Sequence, residues 1–211
     1  MSEPRFESRI LILFAHPALQ KSRVNRELIH AVQDLPGVTF HDLYEDYPEL
    51  DIDVPHEQKL LEAHDLIVFQ HPMFWFSAPA ILKEWQDLVL EHGWAFGHEG
   101  TALHGKRLLS AISTGGREEA YQKDGFNRFT IGELLAPTGQ IAHLCGMEYL
   151  PPFVVHGTHL MTSEQIEGHA ADYRRAIEAL RDGRLDLEAA RKFPRLNTEL
   201  DAVIRDGDGG H

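Results

Sequence analysis

The sequence predicts a single α/β domain built around a parallel sheet, for three reasons. The run Ile10–Ala15 is continuously apolar and branched, which is typical of a strand buried on both faces. The intervals between such runs are long enough for crossover helices. Shorter runs of the same kind recur at 38–43, 66–69, 108–112 and 149–155. We therefore predict a doubly wound five-stranded parallel sheet in the order 2-1-3-4-5, with helices on both faces.

The predicted crossover helices share the periodicity of amphipathic helices. In the third of them, Ile81, Trp85 and Val89 recur at helical spacing, and Pro79 stands where a first turn tolerates proline. Pro137 should break or kink the fourth helix. The predicted ranges are 24–35, 57–64, 80–91 and 129–145. Together with the strand order, this alternation predicts a flavodoxin-like fold.

The last part of the chain is predicted to add a helix and an extension. Ser163–Arg181 has the pattern of a final helix. We assign residues 1–184 to the flavodoxin-like domain and 185–211 to a C-terminal extension. The extension is expected to be partly helical, interrupted by Pro194, and disordered over its last residues, 206–211.

The composition of the chain limits which partners the protein can bind and indicates where in the cell it lies. The formal net charge of −13 repels phosphate backbones and anionic lipid heads, so nucleic acid is excluded as a direct partner. Cys145 is the only cysteine, which agrees with a reducing cytosol. No signal peptide or membrane-spanning run is visible. We expect a cytoplasmic protein that reaches the inner membrane, if at all, through a protein partner.

Three loops follow the carboxyl ends of predicted strands, where doubly wound sheets bind ligands. The first opens into a helix, whose free N–H groups and positive dipole suit a phosphate. Ser22 and Asn25 would add neutral donors, and His16 and Arg23 charge-assisted ones. The alternative for Ser22 is that it only caps the helix.

The second and third loops suit a flat ring. Phe74, Trp75 and Phe76 form an aromatic cluster directly after a buried strand, where they could wall a planar ligand. Their alternative role is packing in the core or in a dimer. Gly115 and Gly116 let the backbone approach a ring closely, although such a pair is often a simple turn.

Motifs of several competing classes are missing from the sequence. It contains no G-x-G-x-x-G after the first strand, no G-x-x-x-x-G-K-[ST] loop and no G-x-S-x-G elbow. His56-Glu57 begins like a zinc-protease helix but lacks the second histidine. We therefore expect no metal site.

These loops resemble those of the NAD(P)H:quinone oxidoreductase family. The likeness rests on residues 15–17, 22–25, 70–76 and 113–116. Within that family the chain most resembles the ancillary subunits of bacterial glutathione-gated potassium efflux systems, through residues 92–97, 100–106 and 150–153. The resemblance spans about Ile10 to Arg181 and does not extend to the tail.

The resemblance implies a homodimer that binds FMN, with FAD as the alternative, and uses NAD(P)H as electron donor. It assigns the flavin phosphate to His16, Ser22, Arg23, Val24 and Asn25. It assigns the isoalloxazine and ribityl groups to Pro72, Met73, Phe74, Trp75 and Phe76. It assigns the pyrimidine edge to Ser113, Thr114, Gly115 and Gly116.

One catalytic position carries over only in part. Mammalian-type quinone reductases place a tyrosine shortly after the Gly-Gly pair and a histidine beyond it. Tyr121 matches the tyrosine, whereas Asn127 stands in place of the histidine. Tyr121 is therefore the catalytic candidate, and an ordinary loop tyrosine is the alternative.

The resemblance implies two-electron transfer from NAD(P)H to a quinone. The main rival function is a regulatory protein that binds and activates a potassium efflux transporter. A one-electron flavodoxin is disfavoured because the first loop is not compact and rich in Thr and Gly. An azo- or nitroreductase would share the chemistry and differ only in the acceptor.

Overall fold

The computed structural model describes residues 7–205 and shows a parallel sheet. Its strands are β1 (Ile10–Phe14), β2 (Val38–Asp42), β3 (Leu66–Pro72), β4 (Arg107–Ser113), β5 (Glu148–Tyr149) and β6 (Phe153–Val155). They pair in the order β2-β1-β3-β4-β5, and β6 also pairs with β4. The predicted flavodoxin-like order is confirmed.

The predicted fifth strand is interrupted. β5 and β6 both pair in parallel with β4, through Arg107 opposite Glu148 and Ala111 opposite Phe153. Between them lie Pro151 and Pro152, which have no N–H to contribute to a strand ladder. The single strand predicted at 149–155 is therefore two short strands in the same position of the sheet.

The helices follow local capping signals more closely than apolar periodicity. The helix Val54–Ala63 begins before the predicted Glu57, because the Asp53 side chain accepts a hydrogen bond from the His56 N–H and caps the helix. Beside Pro137 the predicted fourth helix breaks at Leu135, as expected. The helices are α1 (Arg23–Val32), α2 (Leu43–Asp46), α3 (Val54–Ala63), α4 (Ala80–Val89), α5 (Ile131–Leu134), α6 (Ala136–Leu144), α7 (Ser163–Arg181), α8 (Leu187–Ala190) and α9 (Leu200–Val203).

Helices cover both faces of the sheet, so the core has two layers. Along β1, Ile10 and Ile12 pack with α1 and α7, whereas Leu11 and Leu13 pack with α3 and α4. This alternation is the period-two pattern of a strand buried on both sides. Across residues 7–205, none of the helices combines the length and apolar character needed to cross a bilayer.

A charged network is buried on the α3–α4 face. The Glu57 carboxylate, which is fully buried, accepts hydrogen bonds from Tyr47 Oη at 2.6 Å and Trp85 Nε1 at 2.7 Å. His41 Nε2 lies 2.7 Å from Glu57, and His41 Nδ1 lies 2.7 Å from an Asp46 oxygen. Both imidazole nitrogens thus face carboxylates, which stabilises a protonated His41.

The pKa shifts of this pair follow from its contacts. Burial alone would raise the pKa of Glu57, but the hydrogen bonds from His41, Tyr47 and Trp85 lower it below its ordinary value. Burial alone would lower the pKa of His41, but Glu57 and then Asp46 raise it above its ordinary value. These contacts therefore favour the charged form of both side chains in the folded protein.

The C-terminal extension folds back onto the α1–α7 layer. Its apolar residues Ala190, Leu196, Leu200 and Val203 are buried in the same cluster as Ile10 and Ile12. Helices α8 and α9 flank a 3₁₀ turn at Leu196–Thr198. The disorder predicted for residues 206–211 lies outside the described residues.

Candidate functional site

Hydrogen bonds between strand ends bring the predicted loops together. The Ala15 N–H donates to the Gln70 carbonyl at 3.0 Å, and the Met73 N–H donates to the Ser113 carbonyl at 2.8 Å. These contacts join the loops after β1, β3 and β4 at one edge of the sheet. The loop after β6 joins them, because the Thr114 N–H donates to the Val155 carbonyl at 2.9 Å.

The four loops enclose a cleft of about 450 Å³. That volume lies within the usual range of sites for small ligands and cofactors. Ten residues predicted from the sequence line it: His16, Ser22, Arg23, Val24, Asn25, Pro72, Met73, Phe74, Ser113 and Gly115. The lining also includes Ala18, Lys21, Thr158 and His159, which the sequence analysis missed.

The N-terminus of α1 opens into the cleft. Ser22 Oγ accepts the Asn25 N–H at 3.1 Å, so Ser22 caps the helix and also lines the cleft. The N–H groups of Arg23 and Val24 have no intrahelical partner in this first turn. The Asn25 amide donates to Ser113 Oγ at 3.0 Å and so ties the first loop to the third. This end of the cleft suits an anion.

Cationic and neutral donors surround the same end. Lys21 and Arg23 line the cleft and provide positive charge in a chain whose formal net charge is −13. Burial lowers the pKa of His16 below its ordinary value, so its imidazole is neutral at pH 7. His16 Nδ1 accepts the Ala18 N–H at 3.1 Å. The neutral ring therefore carries its proton on Nε2.

The aromatic cluster divides between the cleft and the surface. Phe74 lines the cleft and contacts His16 edge to face, with ring centroids 5.8 Å apart. Trp75 and Phe76 instead occupy the centre of a two-residue turn, closed by reciprocal hydrogen bonds of 3.0 Å between Phe74 and Ser77. Trp75 is 92% exposed, so within residues 7–205 it does not wall the cleft.

The turn at Trp75 and Phe76 is strained. Their φ angles are +48° and +63°, values that favour Gly or Asn in a hairpin turn. Residues without such a preference cost about 1–3 kcal/mol each in this region of φ. Backbone strain of this size is typical of functional sites, because selection for stability alone would remove it.

The third loop presents its backbone to the cleft and buries part of its side chains. Ser113 and Gly115 line the cleft, whereas Thr114 is buried beside it. Thr114 Oγ1 donates to the Gly116 carbonyl at 2.9 Å, so it accepts from His156 Nδ1 at 3.0 Å. Burial, aided by the nearby Arg195 charge, lowers the pKa of His156 to about 4. Thr114 and Gly116 therefore stabilise the conformation of the third loop and, in the described part of the chain, do not line the cleft themselves.

Tyr121 also lies behind the third loop. Its side chain is buried, packs 5.5 Å from the His156 ring, and would touch a Cβ at Gly116 at 3.1 Å. Within residues 7–205 it is not part of the cleft lining. A catalytic role for Tyr121 stays a prediction.

His159 is the most prominent residue that the sequence analysis missed. Its Nε2 would lie 2.4 Å from a Cβ at Gly115, so the imidazole packs directly on this glycine. The signal for this loop was present, because the apolar run predicted as the fifth strand ends at Val155. Applying the strand-end rule to that run would have selected Thr158 and His159.

Comparison with known proteins places the chain in a family. A family model described as a flavodoxin-like fold matches residues 8–180. The glutathione-regulated potassium-efflux system ancillary protein KefG of Serratia proteamaculans is 46% identical over 173 residues, which are 82% of this chain and 93% of that protein.

Two solved structures share both sequence and fold with the chain. General stress protein 14 of Treponema denticola, in complex with FMN, is 39% identical with a TM-score of 0.77 and covers 82% of this chain and 99% of its own. An NADPH-quinone reductase from P. pentosaceus is 34% identical with a TM-score of 0.73, covering 80% of this chain and 96% of its own. The chain belongs to the family of flavodoxin-like proteins to which these relatives also belong.

Proposed function

We propose that the protein is an FMN-dependent oxidoreductase that passes two electrons from NAD(P)H to a quinone or a similar aromatic acceptor. The observation that carries this proposal is one cleft that is lined by the first turn of α1, by Gly115 and by Phe74. The relatives that are complexed with FMN or called a quinone reductase support it.

The residues present fit FMN. The phosphate needs donors and positive charge, which the first turn of α1, Lys21 and Arg23 supply. The ring system needs an apolar wall and a bare backbone, which Phe74 and Gly115 supply. FMN is favoured over FAD because the relative of 39% identity from Treponema denticola is in complex with FMN.

The protein's part in the reaction is to bind and orient. Bound FMN would supply the redox chemistry, accepting two electrons from NAD(P)H and delivering them to the acceptor. Fixed backbone N–H groups at the third loop would stabilise negative charge on the pyrimidine side. The neutral His156 behind Thr114 would hold this loop in place without adding charge.

Exposed aromatic side chains in the segments after β3 and β4 support a homodimer. Trp75 and Phe126 are each 92% exposed, and Phe76 and Phe129 are about half exposed at 47% and 55%. Large aromatic side chains left this exposed are typical of a surface that another protein covers. A second copy of the chain is the occupant that the family resemblance implies.

Replacing Trp75 by Asn together with Phe76 by Gly should separate stability from function. Asn-Gly is the preferred pair for this turn, so the free energy of unfolding of the monomer should rise by about 1–2 kcal/mol. Dimerisation should fall, because two exposed aromatic side chains are lost. FMN affinity should fall as well, because the family resemblance assigns both side chains to the flavin although they do not line the cleft that residues 7–205 of the single chain form. Urea unfolding, FMN titration and sedimentation measure the three effects.

Leu50→Gly is the matched control for this turn. Leu50 is another exposed residue with positive φ, at +62°, and it lies outside the cleft lining. Relief of its strain should raise stability without changing FMN affinity. If the turn variant binds FMN and dimerises as well as the wild type, the aromatic turn has no part in the site.

Anaerobic stopped-flow absorption tests the enzymatic proposal. NADH or NADPH should reduce the bound FMN within seconds and so bleach its visible absorption. A benzoquinone added afterwards should restore the oxidised spectrum. A bound flavin that neither nucleotide reduces would refute the proposal.

A regulatory role is the second candidate, and the identity to KefG favours it. The protein would then bind the cytosolic domain of a potassium efflux transporter. Pull-down with such a domain distinguishes the two roles. Failure to bind, alongside rapid quinone turnover, would leave only the enzyme.

A further inference from the structure

We propose that the C-terminal extension positions the rim of the cleft for cofactor binding, through Arg195 and the 3₁₀ turn Leu196–Thr198. This inference rests on the proposed function, because it concerns the same cleft. The matching family model ends at residue 180, so the family assigns no role to the extension. We call Arg195–Thr198 the clip.

The clip is hydrogen-bonded to the outer edge of β6. Asn197 Oδ1 accepts the Val154 N–H at 3.0 Å, and Asn197 Nδ2 donates to the Val154 carbonyl at 2.9 Å. One side chain thus supplies both hydrogen bonds that a neighbouring strand would give. The Leu196 N–H adds a bond to the Pro152 carbonyl at 2.9 Å, and the Leu196 side chain is buried.

The clip also forms an ion pair with the segment that follows the third loop. Arg195 forms an ion pair with Glu118 at 2.7 Å, and its side chain is only 17% exposed. Glu118 begins the 3₁₀ turn Glu118–Tyr121, two residues after Gly116. The Arg195 side of this pair is shielded from solvent, whereas the Glu118 side chain is 49% exposed. Two neighbouring residues, Arg195 and Asn197, therefore hold two different segments.

The two segments that the clip holds are joined to each other at the cleft. The Thr158 N–H donates to the Thr114 carbonyl at 3.1 Å, and the Gly157 N–H donates to the Gly116 carbonyl at 2.9 Å. Ser113 and Gly115 line the cleft from one segment, and Thr158 and His159 from the other. The clip thus braces this side of the cleft from outside.

A rim that is already held in place binds its ligand more tightly, because less conformational entropy is lost on binding. Sites whose supporting residues are loose by about 1 Å lose much of their affinity. Without Asn197, the Val154 backbone groups exchange a fixed partner for water, and the adjoining loop can open locally. We expect FMN affinity to fall about 10-fold when either attachment is removed.

The test measures FMN affinity in full-length variants by fluorescence quenching. Asn197→Ala removes the grip on β6, and Arg195→Glu replaces the ion pair with repulsion. Arg191→Glu is the matched control, because Arg191 pairs with Glu148 at β5 and with Glu188 inside the extension. The first two variants should bind FMN about 10-fold more weakly, and the control within about 2-fold of the wild type.

A rescue variant distinguishes positioning from general destabilisation. Glu118→Arg combined with Arg195→Glu restores opposite charges and should recover most of the lost affinity. Amide hydrogen exchange of the FMN-free protein should show faster exchange at Gly157 and Thr158 in Asn197→Ala than in Arg191→Glu. Neither readout depends on turnover.

The outcomes separate this inference from the proposed function. Wild-type protein that binds no FMN would refute the proposed function. Wild-type binding combined with unchanged affinity and exchange in Asn197→Ala and Arg195→Glu would overturn the clip alone. Equal losses in these variants and in Arg191→Glu would also overturn it, since the effect would then be one of general stability.

Discussion

Replacing Ser22 by Asp should weaken FMN binding by at least about 100-fold while the protein stays folded. Ser22 caps α1 and lines the anion end of the cleft. A phosphate monoester carries about −1.5 to −2 charges at pH 7, so an added carboxylate beside it is repelled. Two unit charges about 4 Å apart near a protein surface interact by about 4 kcal/mol, more than 100-fold requires.

The substitution keeps the helix intact, which makes the result interpretable. Asp is as good an N-cap as Ser and favours the positive end of the helix dipole. Ser22→Asn is the matched control, because it preserves the cap without charge and should bind FMN within a few-fold of the wild type. FMN titration and thermal unfolding measure both properties. Undiminished binding by Ser22→Asp would mean that the phosphate lies elsewhere.

Replacing Glu57 by Gln should lower the free energy of unfolding by about 3–5 kcal/mol, the range expected when one partner of a buried ion pair is lost. Glu57 accepts hydrogen bonds from Tyr47 and Trp85 and faces His41. A neutral amide removes the buried carboxylate that faces His41 and leaves only the half-exposed Asp46 carboxylate beside the imidazole. Urea unfolding followed by circular dichroism measures the loss.

Asp46→Asn is the matched control for this pair. Asp46 contacts the other nitrogen of His41, but its side chain is 53% exposed. Its replacement should therefore cost less than about 1 kcal/mol. If Asp46→Asn and Glu57→Gln lowered the free energy of unfolding equally, the larger contribution assigned to Glu57 would be wrong.

The same pair gives stability a pH dependence with a definite sign. The pKa of Glu57 is lowered from 4.5, so its contribution is complete above pH 4.5 and is lost as pH falls through the lowered value. The pKa of His41 is raised from 6.5, so its contribution is complete below pH 6.5 and is lost as pH rises through the raised value. Melting temperatures measured over a pH series test the acid side. Below pH 4.5 the melting temperature should fall less steeply in Glu57→Gln than in the wild type, because the variant has no carboxylate at this position to protonate.

The sequence predicts most of this fold because its strong signals are local. The apolar run at β1 and the helical periodicity of α4 are each sufficient to identify an element. The break at Pro151 and Pro152 was missed because apolar character, rather than the supply of N–H groups, defined the predicted strand. Residues 185–205 were hard to interpret because α8 and α9 are four residues long and are held mainly by tertiary packing.

The candidate site was predictable where it depends on strand ends. The first three loops follow from the positions of β1, β3 and β4, and ten of the site residues predicted in them line the cleft. The outward direction of Trp75 was not predictable, because it depends on positive φ angles that such residues rarely adopt. The clip was not predictable either, since Asn197 and Val154 are 43 residues apart.

The central claim is that the loops at the carboxyl edge of the sheet bind a flavin through its phosphate. Calorimetric titration of the flavin-free protein with FMN and with riboflavin, which lacks the phosphate, tests it most directly. We expect one FMN per chain and riboflavin affinity lower by at least about 100-fold, the loss of charge-assisted bonds at the helix end. Equal affinities for the two flavins, or no binding of FMN, would contradict the claim.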